Sequence, residues 1–430
     1  MSAHLRLLGL LAAVALSSTP ASAQSAQTLT LQQAEQLAIQ NHPLIQAASN
    51  LASAAKAQVT EARSAYYPTV YGSLTGVGAE NASRIAAGGL NNPIIYDRYA
   101  NGVTVSQLIT DFGRTHQLVK SSDLHAEAEQ ESVVTTRAGV LLLVDQSYFG
   151  ALKAQSVLAV AEETVKARQL VSDQVTELAK NKIRSDLDVN FANVNLAQAQ
   201  LLLIQAQNDL RSSFARLAAA LGSSDQATFQ LAEQPLPPAP LPDVSALIQQ
   251  ALKDRPELVG QRLTVGSAQS FAAAERDLKL PTVSALGTAG LTPVTDSPLA
   301  PRYAAGGFNV NIPIFNGHLY GARQTEAESR AQAENQYLRD LQNQIVRDVQ
   351  TAWLDANAAY QRLSVTDRLL AESNQALDLA QGRYKLGLSS IIELTQAELN
   401  QTTARIEQAS AKYDYEAQYS LLNYQLGALR

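Results

Sequence analysis

The sequence predicts a mainly α-helical protein with a β portion, built as a tandem structural repeat. Three observations predict it. Residues recur in order at constant offsets along the chain. Each copy ends in about 85 residues of proline-free helix former, roughly 136–221 and 343–426. Ahead of each helical stretch lie two short runs with strand-like alternation.

The chain begins "MSAHLRLLGLLAAVALSSTPASAQ". Arg6 gives a positive start, Leu7 to Leu16 an apolar core, and Ala21-Ser22-Ala23 a small-x-small cleavage site. Residues 1–23 therefore read as a secretory signal peptide, cut after Ala23. The apolar run is too short to serve as a membrane-spanning anchor. No cysteine follows the cut, so no lipid anchor is expected, and no disulfide or thiolate metal site is available. With 33 basic and 39 acidic residues the formal charge is −6, one unit lower once Arg6 leaves with the leader. That balance lacks the basic footprint that nucleic acid requires. No later stretch is apolar enough for a spanning helix. An exported chain of this kind is periplasmic, secreted, or a β-barrel of an outer membrane.

The duplication sets the domain plan. Pro43 and Pro256 are 213 apart, and Thr30 with Asp243, Ala38 with Ala251, and Pro68-Thr69-Val70 with Pro281-Thr282-Val283 share that offset. Farther on, Gly102 and Gly307, Val144 and Val349, Ser185 and Ser390, and Gly222 and Gly427 are all 205 apart. The eight-residue difference falls between Pro68 and Gly102, where a loop tolerates it. Residues 24–232 form the first repeat and 244–430 the second. Between them "EQPLPPAPLPD", residues 233–243, carries five prolines and reads as an extended linker.

Each repeat starts with a short helix, from Leu31 or Val244. Thr30 with Gln33 resembles a capping box. Pro43 or Pro256 ends the short helix, and a longer one follows to Tyr67 or Leu280. Strands come next. "GFNVNIPIF" places Phe308, Val310, Ile312 and Ile314 on one face and Asn309 and Asn311 on the other; "ANGVTVSQLI" alternates less cleanly. The loops fall near 81–93 and 292–301. The final helical stretch divides into two arms of about 40 residues, each about 60 Å long. Its Ala, Gln, Asn and Ser content suits close side-by-side helix packing.

The break in the second hairpin is "YKLGLSS". Gly387 is placed just past the descending helix, where a left-handed residue is needed; Gly382, one turn earlier, loosens that helix. Ser390 then caps the returning helix, and Ser390 with Glu393 reads as a capping box. In the first hairpin Asn181 or Lys182 takes the turn, and Ser185 with Asp188 forms the matching cap.

Four strands cannot close alone. In hydrocarbon, unpaired backbone groups cost several kcal/mol each, so only closed barrels or helices span, and known barrels begin at about eight strands. Two copies give eight strands and three give twelve; otherwise the strands form a small soluble sheet. The leader, the duplicated helix–strand–strand–hairpin plan and the break "RYKLGLSSIIEL" resemble the TolC family of outer-membrane efflux and secretion channels, over essentially the whole mature chain.

The resemblance implies a homotrimer with a 12-stranded outer-membrane β-barrel continued by a long periplasmic α-helical barrel, belted by the short helices. It implies a passive exit duct that docks to a periplasmic adaptor protein and, indirectly, to an inner-membrane transporter of the RND or ABC type. The apolar-Gly-Leu tip, Leu386, Gly387 and Leu388, matches the family's docking point. Asn181, Lys182 and Ile183 occupy the first tip without a glycine. Asp188 and Glu393 take the family's acidic positions at the pore mouth, where a trimer sets six carboxylates able to bind cations. The family's second acidic position is Gln396 here. The same carboxylates also favour the helix dipole simply as first-turn acids.

Tyr66, Tyr67, Tyr96, Tyr99 and Tyr303 gather at strand ends, either as an interface girdle or as buried core. No phosphate-cradling glycine loop, G-x-S-x-G or H-E-x-x-H is present. His42, His116, His125 and His318 are scattered without metal-ligand spacing, which leaves surface or capping roles. No enzyme, cofactor or metal is expected. The alternative is a periplasmic coiled-coil adaptor, although such proteins usually carry a single hairpin.

Overall fold

A computed structural model describes residues 28–78, 98–223, 229–295 and 300–429. The predicted leader, Tyr96, and most of the first strand–strand loop lie outside these residues. The repeat is visible in the element order. The first copy runs β1 (Thr28–Leu29), α1 (Leu31–Asn41), α2 (Pro43–Ser64), β2 (Thr69–Val77), β3 (Arg98–Thr110), α3 (Arg114–Lys180) and α4 (Asp186–Ala220). The second runs β4 (Gln230–Leu231), α5 (Val244–Asp254), α6 (Pro256–Arg276), β5 (Thr282–Thr295), β6 (Arg302–Asn311), α7 (Leu319–Lys385) and α8 (Ile391–Gln425). A single 3₁₀ turn, Asp277–Lys279, follows α6.

The hairpin arms are unequal, which corrects the expectation of two similar arms. The descending helices α3 and α7 have 67 residues each, and the returning helices α4 and α8 have 35. At 1.5 Å per residue the long arms reach about 100 Å. Neither N-cap residue supplies a side-chain bond, although at α3 the Asp111 carboxylate accepts from the Thr115 N–H at 2.7 Å. A left-handed residue precedes each, Gly113 at φ 112° and His318 at φ 67°. α2 and α6 stop at Ser64 and Arg276, short of the expected Tyr67 and Leu280.

Two small cores are built from repeat mates. One joins Ala34, Ala38, Ile45, Val144, Leu217 and Leu221. The other joins their counterparts Leu247, Ala251, Leu258, Val349, Leu422 and Leu426. Thr30 and Gln33 complete their capping box, and Asp243 caps α5. His42 caps α2, accepting from the Leu44 N–H at 3.3 Å.

The long helices lie in the order α4-α3-α8-α7, because α3 packs on both α4 and α8, and α8 on α7. The strands follow the order β2-β3-β5-β6, all antiparallel. Register sorts their side chains. Val70 faces Val105, Gly72 faces Val103, Ala285 faces Phe308, and Val283 faces Val310. The alternate rows bring together Tyr71 with Thr104, Ser106 with Leu286, Thr104 with Thr288, and Ser284 with Asn309. One face is thus apolar and the other mostly polar. All ten residues of β6 are exposed, Phe308 by 78% and Val310 by 55%. β6 ends at Asn311, so Ile312 and Ile314 lie beyond the strand to which their alternation assigned them.

The described strand-end tyrosines are exposed rather than core: Tyr66, Tyr67, Tyr99 and Tyr303. Tyr303 belongs to the polar face, where its ring covers Gly102 and Gly290, leaving no space for a side chain at either.

Candidate functional site: the paired hairpin tips

Each descending helix ends in the same hydrogen-bonded turn. Gly387 has φ +74°; its N–H donates to Tyr384 O at 3.0 Å, and the Leu388 N–H donates to Arg383 O at 2.8 Å. In the first tip the left-handed residue is Lys182, at φ 61°, with Asn181 as the residue before it. The Lys182 and Ile183 N–H groups donate to Ala179 O and Leu178 O, both at 2.9 Å. The paired bonds satisfy carbonyls that would otherwise be orphaned. Leu386 is 76% exposed, Leu388 65% and Ile183 66%, so both tips present apolar side chains to solvent.

The returning helices start differently. The Ser185 hydroxyl accepts from the Asp188 N–H at 3.2 Å, and an Asp188 oxygen accepts from the Ser185 N–H at 3.1 Å, a complete capping box. Ser390 accepts from the Glu393 N–H at 3.4 Å, but the Glu393 carboxylate does not return to Ser390. Glu393 pairs instead with Arg383 Nε at 2.8 Å. The box expected at Ser390 is therefore a half-box, because a cation on the preceding helix outcompetes one backbone N–H for the carboxylate. Gln396 donates to Asn400 at 2.9 Å.

Two residues that sequence reasoning passed over join the tips. The Arg184 guanidinium stacks 4.1 Å above the Tyr384 ring, and its Nη2 donates to Tyr384 O at 2.5 Å. Tyr384 is 6% exposed, and burial pushes its phenol above the ordinary value. A signal for both was available. At the 205 offset Arg184 answers to Ser389 and Tyr384 to Ala179, so each is a break in the repeat. Residues joining two halves need not be copied in both.

Above the tips α3, α7 and α8 line an open-sided cavity of about 490 Å³, with Leu170, Val171, Leu377, Leu394 and Thr402 among its lining. Arg168 and Glu398 form an ion pair inside this joint. Arg405 meets Glu163 at 2.8 Å, and Asn195 donates to Thr395 at 2.8 Å. These polar ties hold the two hairpins against one another along their inner edges.

No described helix is long and apolar enough to cross a membrane. A two-faced antiparallel sheet beside two long hairpins is the plan of an outer-membrane duct with a large periplasmic part. The chain belongs to the outer membrane efflux protein family, whose sequence pattern matches residues 34–223 and 247–428. It is 22% identical to the outer membrane protein TolC of Escherichia coli K12 over 420 residues, covering 94% of this chain and 83% of that one. A membrane protein from Pseudomonas aeruginosa superposes with a TM-score of 0.82 at 21% identity, covering 92% of this chain and 93% of the other. The outer-membrane channel OprN gives 0.80 at 20% identity, covering 93% and 90%. This family is one of channels, and the match replaces the adaptor alternative.

Proposed function

We propose that three copies of this chain close into one passive duct, with a 12-stranded barrel in the outer membrane and a helical barrel reaching across the periplasm. The observation that carries this is the state of the edges. Among the described residues β2 and β6 each have one strand partner, and they run in opposite directions. A β6-to-β2 junction between copies therefore continues the antiparallel alternation and leaves no edge in lipid. The apolar face turns outward and the polar face lines the bore.

The helices support the same junction. Exposed on α4 are Leu187, Val194, Leu201 and Ile204, at intervals of seven and three. Exposed on α7, the other outer helix, are Val365, Leu369 and Leu379. Such a seam suits coiled-coil packing of α4 on α7 of the next copy. The contact is head-to-tail, so it forms a ring when the rotation closes.

The exposed tips support docking to a periplasmic adaptor protein and, through it, to an inner-membrane transporter. Leu386, Gly387 and Leu388 form the principal contact, with Asn181, Lys182 and Ile183 as the second. Asp188 and Glu393 face the pore mouth in this reading. Their charge there is tempered, since Arg383 accompanies Glu393.

The test is the native mass of the mature protein extracted from outer membranes in detergent, corrected for bound detergent. Three chains are expected. A soluble, detergent-independent species would overturn the barrel.

A further inference from the structure

The proline-rich linker lies as a strap across the second hairpin, gripped from α7 and α8. Lys412 Nζ pairs with Glu233 Oε2 at 2.6 Å, and the Tyr413 hydroxyl donates to Glu233 Oε1 at 3.2 Å. The Tyr415 hydroxyl donates to Pro238 O. The Trp353 indole N–H donates to Leu241 O at 2.7 Å. Just before the strap, the Tyr148 hydroxyl donates to Ala232 O at 2.6 Å.

One helical turn past Lys412 stands Glu416. It is 1% exposed, and neither carboxylate oxygen has a hydrogen-bond partner among the described residues. A buried, unpaired carboxylate is costly when ionised and tolerable when protonated. Burial pushes its pKa up to about 7, with Lys412 opposing the rise and Glu233 adding to it. Tyr148 of α3 is the titratable neighbour across the joint, its own phenol pushed up by burial. Lys412 is already engaged by Glu233, and that bond holds the Glu233 carboxyl below its ordinary value. One ammonium thus faces two carboxylates, of which only one is solvated.

We propose that the strap joint is a proton-operated latch, closed while Glu416 is protonated and loosened when Glu416 ionises and competes with Glu233 for Lys412. The proton lost goes to solvent, and Lys412 keeps its own. The burial of Glu416 arises within one chain, so the proposal does not depend on the ring. The same α3–α8 joint holds a second acid, Asp145, 2% exposed with Oδ1 unpartnered and raised to about 7, first by burial and then by the charge of Glu35. The groups acting on Asp145 are Glu35 and Ser420 rather than strap residues, so it serves as the control.

Trp353 is the only tryptophan in the chain, so its fluorescence reports strap docking directly. The purified full-length protein in detergent is titrated either side of neutrality, reading emission wavelength and iodide quenching. The expected result is a red shift and stronger quenching as pH rises, with a midpoint near the Glu416 value of about 7. Glu416→Gln should keep the low-pH signal throughout, and Asp145→Asn should leave the step in place. Lys412→Met and Glu233→Gln should each show the loosened signal at every pH. The latch is overturned by a wild-type protein without a step, by a step that survives in Glu416→Gln, or by one that vanishes in Asp145→Asn. If Glu416→Gln does not yield folded protein, a pH step retained in both Lys412→Met and Glu233→Gln overturns it equally.

Discussion

Glycines with the same backbone angle differ in what surrounds them. Gly387, Gly222 and Gly427 all have φ near +70°, at +74°, +75° and +72°. A side chain at Gly387 meets nothing within 4 Å, whereas one at Gly222 would lie 2.9 Å from His42 Cα and one at Gly427 3.1 Å from Asp254 C. A bulky residue at Gly387 therefore costs only left-handed strain, about 1–2 kcal/mol, and Lys182 shows that the turn accepts a side chain. Gly387→Val and Leu388→Asp should assemble with wild-type native mass yet lose efflux in a susceptibility assay. Normal efflux from both would remove this tip from docking. Gly222→Ala should lower the melting temperature more than Gly387→Ala, since backbone must move to admit it. Tyr148 is fully buried, and its one hydroxyl proton lies within reach of Leu29 O at 2.8 Å and Ala232 O at 2.6 Å. Tyr148→Phe takes the hydroxyl donor from Ala232 O, while Leu29 O keeps the Ala232 N–H, and should destabilise by about 1 kcal/mol in a denaturation series.

At the scale of elements, the signals that survived into structure were local ones. Thr30, Ser185 and Asp243 cap helices where their spacing put them, because a cap involves only the next three residues. The starts of α3 and α7 were not legible. Residues 114–135 are polar and small, without a strong apolar period; both helices begin at left-handed residues, and the cap on α3 comes from Asp111, two residues ahead of its N-cap. The strand pairs were legible from alternation and from their position after proline, but their register was not. At the tips the left-handed glycine was legible, while the Arg184–Tyr384 stack and the Arg383–Glu393 pair were not, because each depends on how one helix meets another. The pairing of α8 with α3 also predicts a pH response of stability. Glu416 and Asp145 have folded-state values raised to about 7 from 4.5 and 3.8. Protonation is therefore favoured by folding, and the stability it supplies is complete below about pH 4 and lost as pH rises through about 7. The melting temperature should fall over that window, and the double variant Asp145→Asn with Glu416→Gln should flatten the fall. Neutralising Asp188 and Glu393 should weaken block of channel current by polyvalent cations; unchanged block would take them out of the pore mouth.

At the scale of the whole molecule, a single chain leaves its apolar seams open, and the proposed ring would cover them. Val194→Asp together with Leu201→Asp sets charge into the α4 seam and should leave monomers that fail to form the three-chain species in detergent. Trimers of normal stability would place the α4 seam outside the interface. Within a ring the two unlike tips alternate, so a partner would meet three glycine turns and three lysine turns.

The polar face of the sheet carries one further consequence. From Thr69, Tyr71, Ser73 and Thr75, through Gly102, Thr104 and Ser106, to Thr288, Asn309 and Asn311, the described side chains on that face are uncharged. In the proposed duct, wall of this kind, made of hydroxyls, amides, glycine and an occasional leucine, would exert little preference between an anion and a cation. In the proposed duct the described charges nearest the inner end, Asp188 and Glu393 with Arg383 and Arg184 beside them, stand roughly 100 Å from this stretch of wall. This stretch of wall would then act as plain pipe, and sorting of cargo by sign would fall to charges set beyond it.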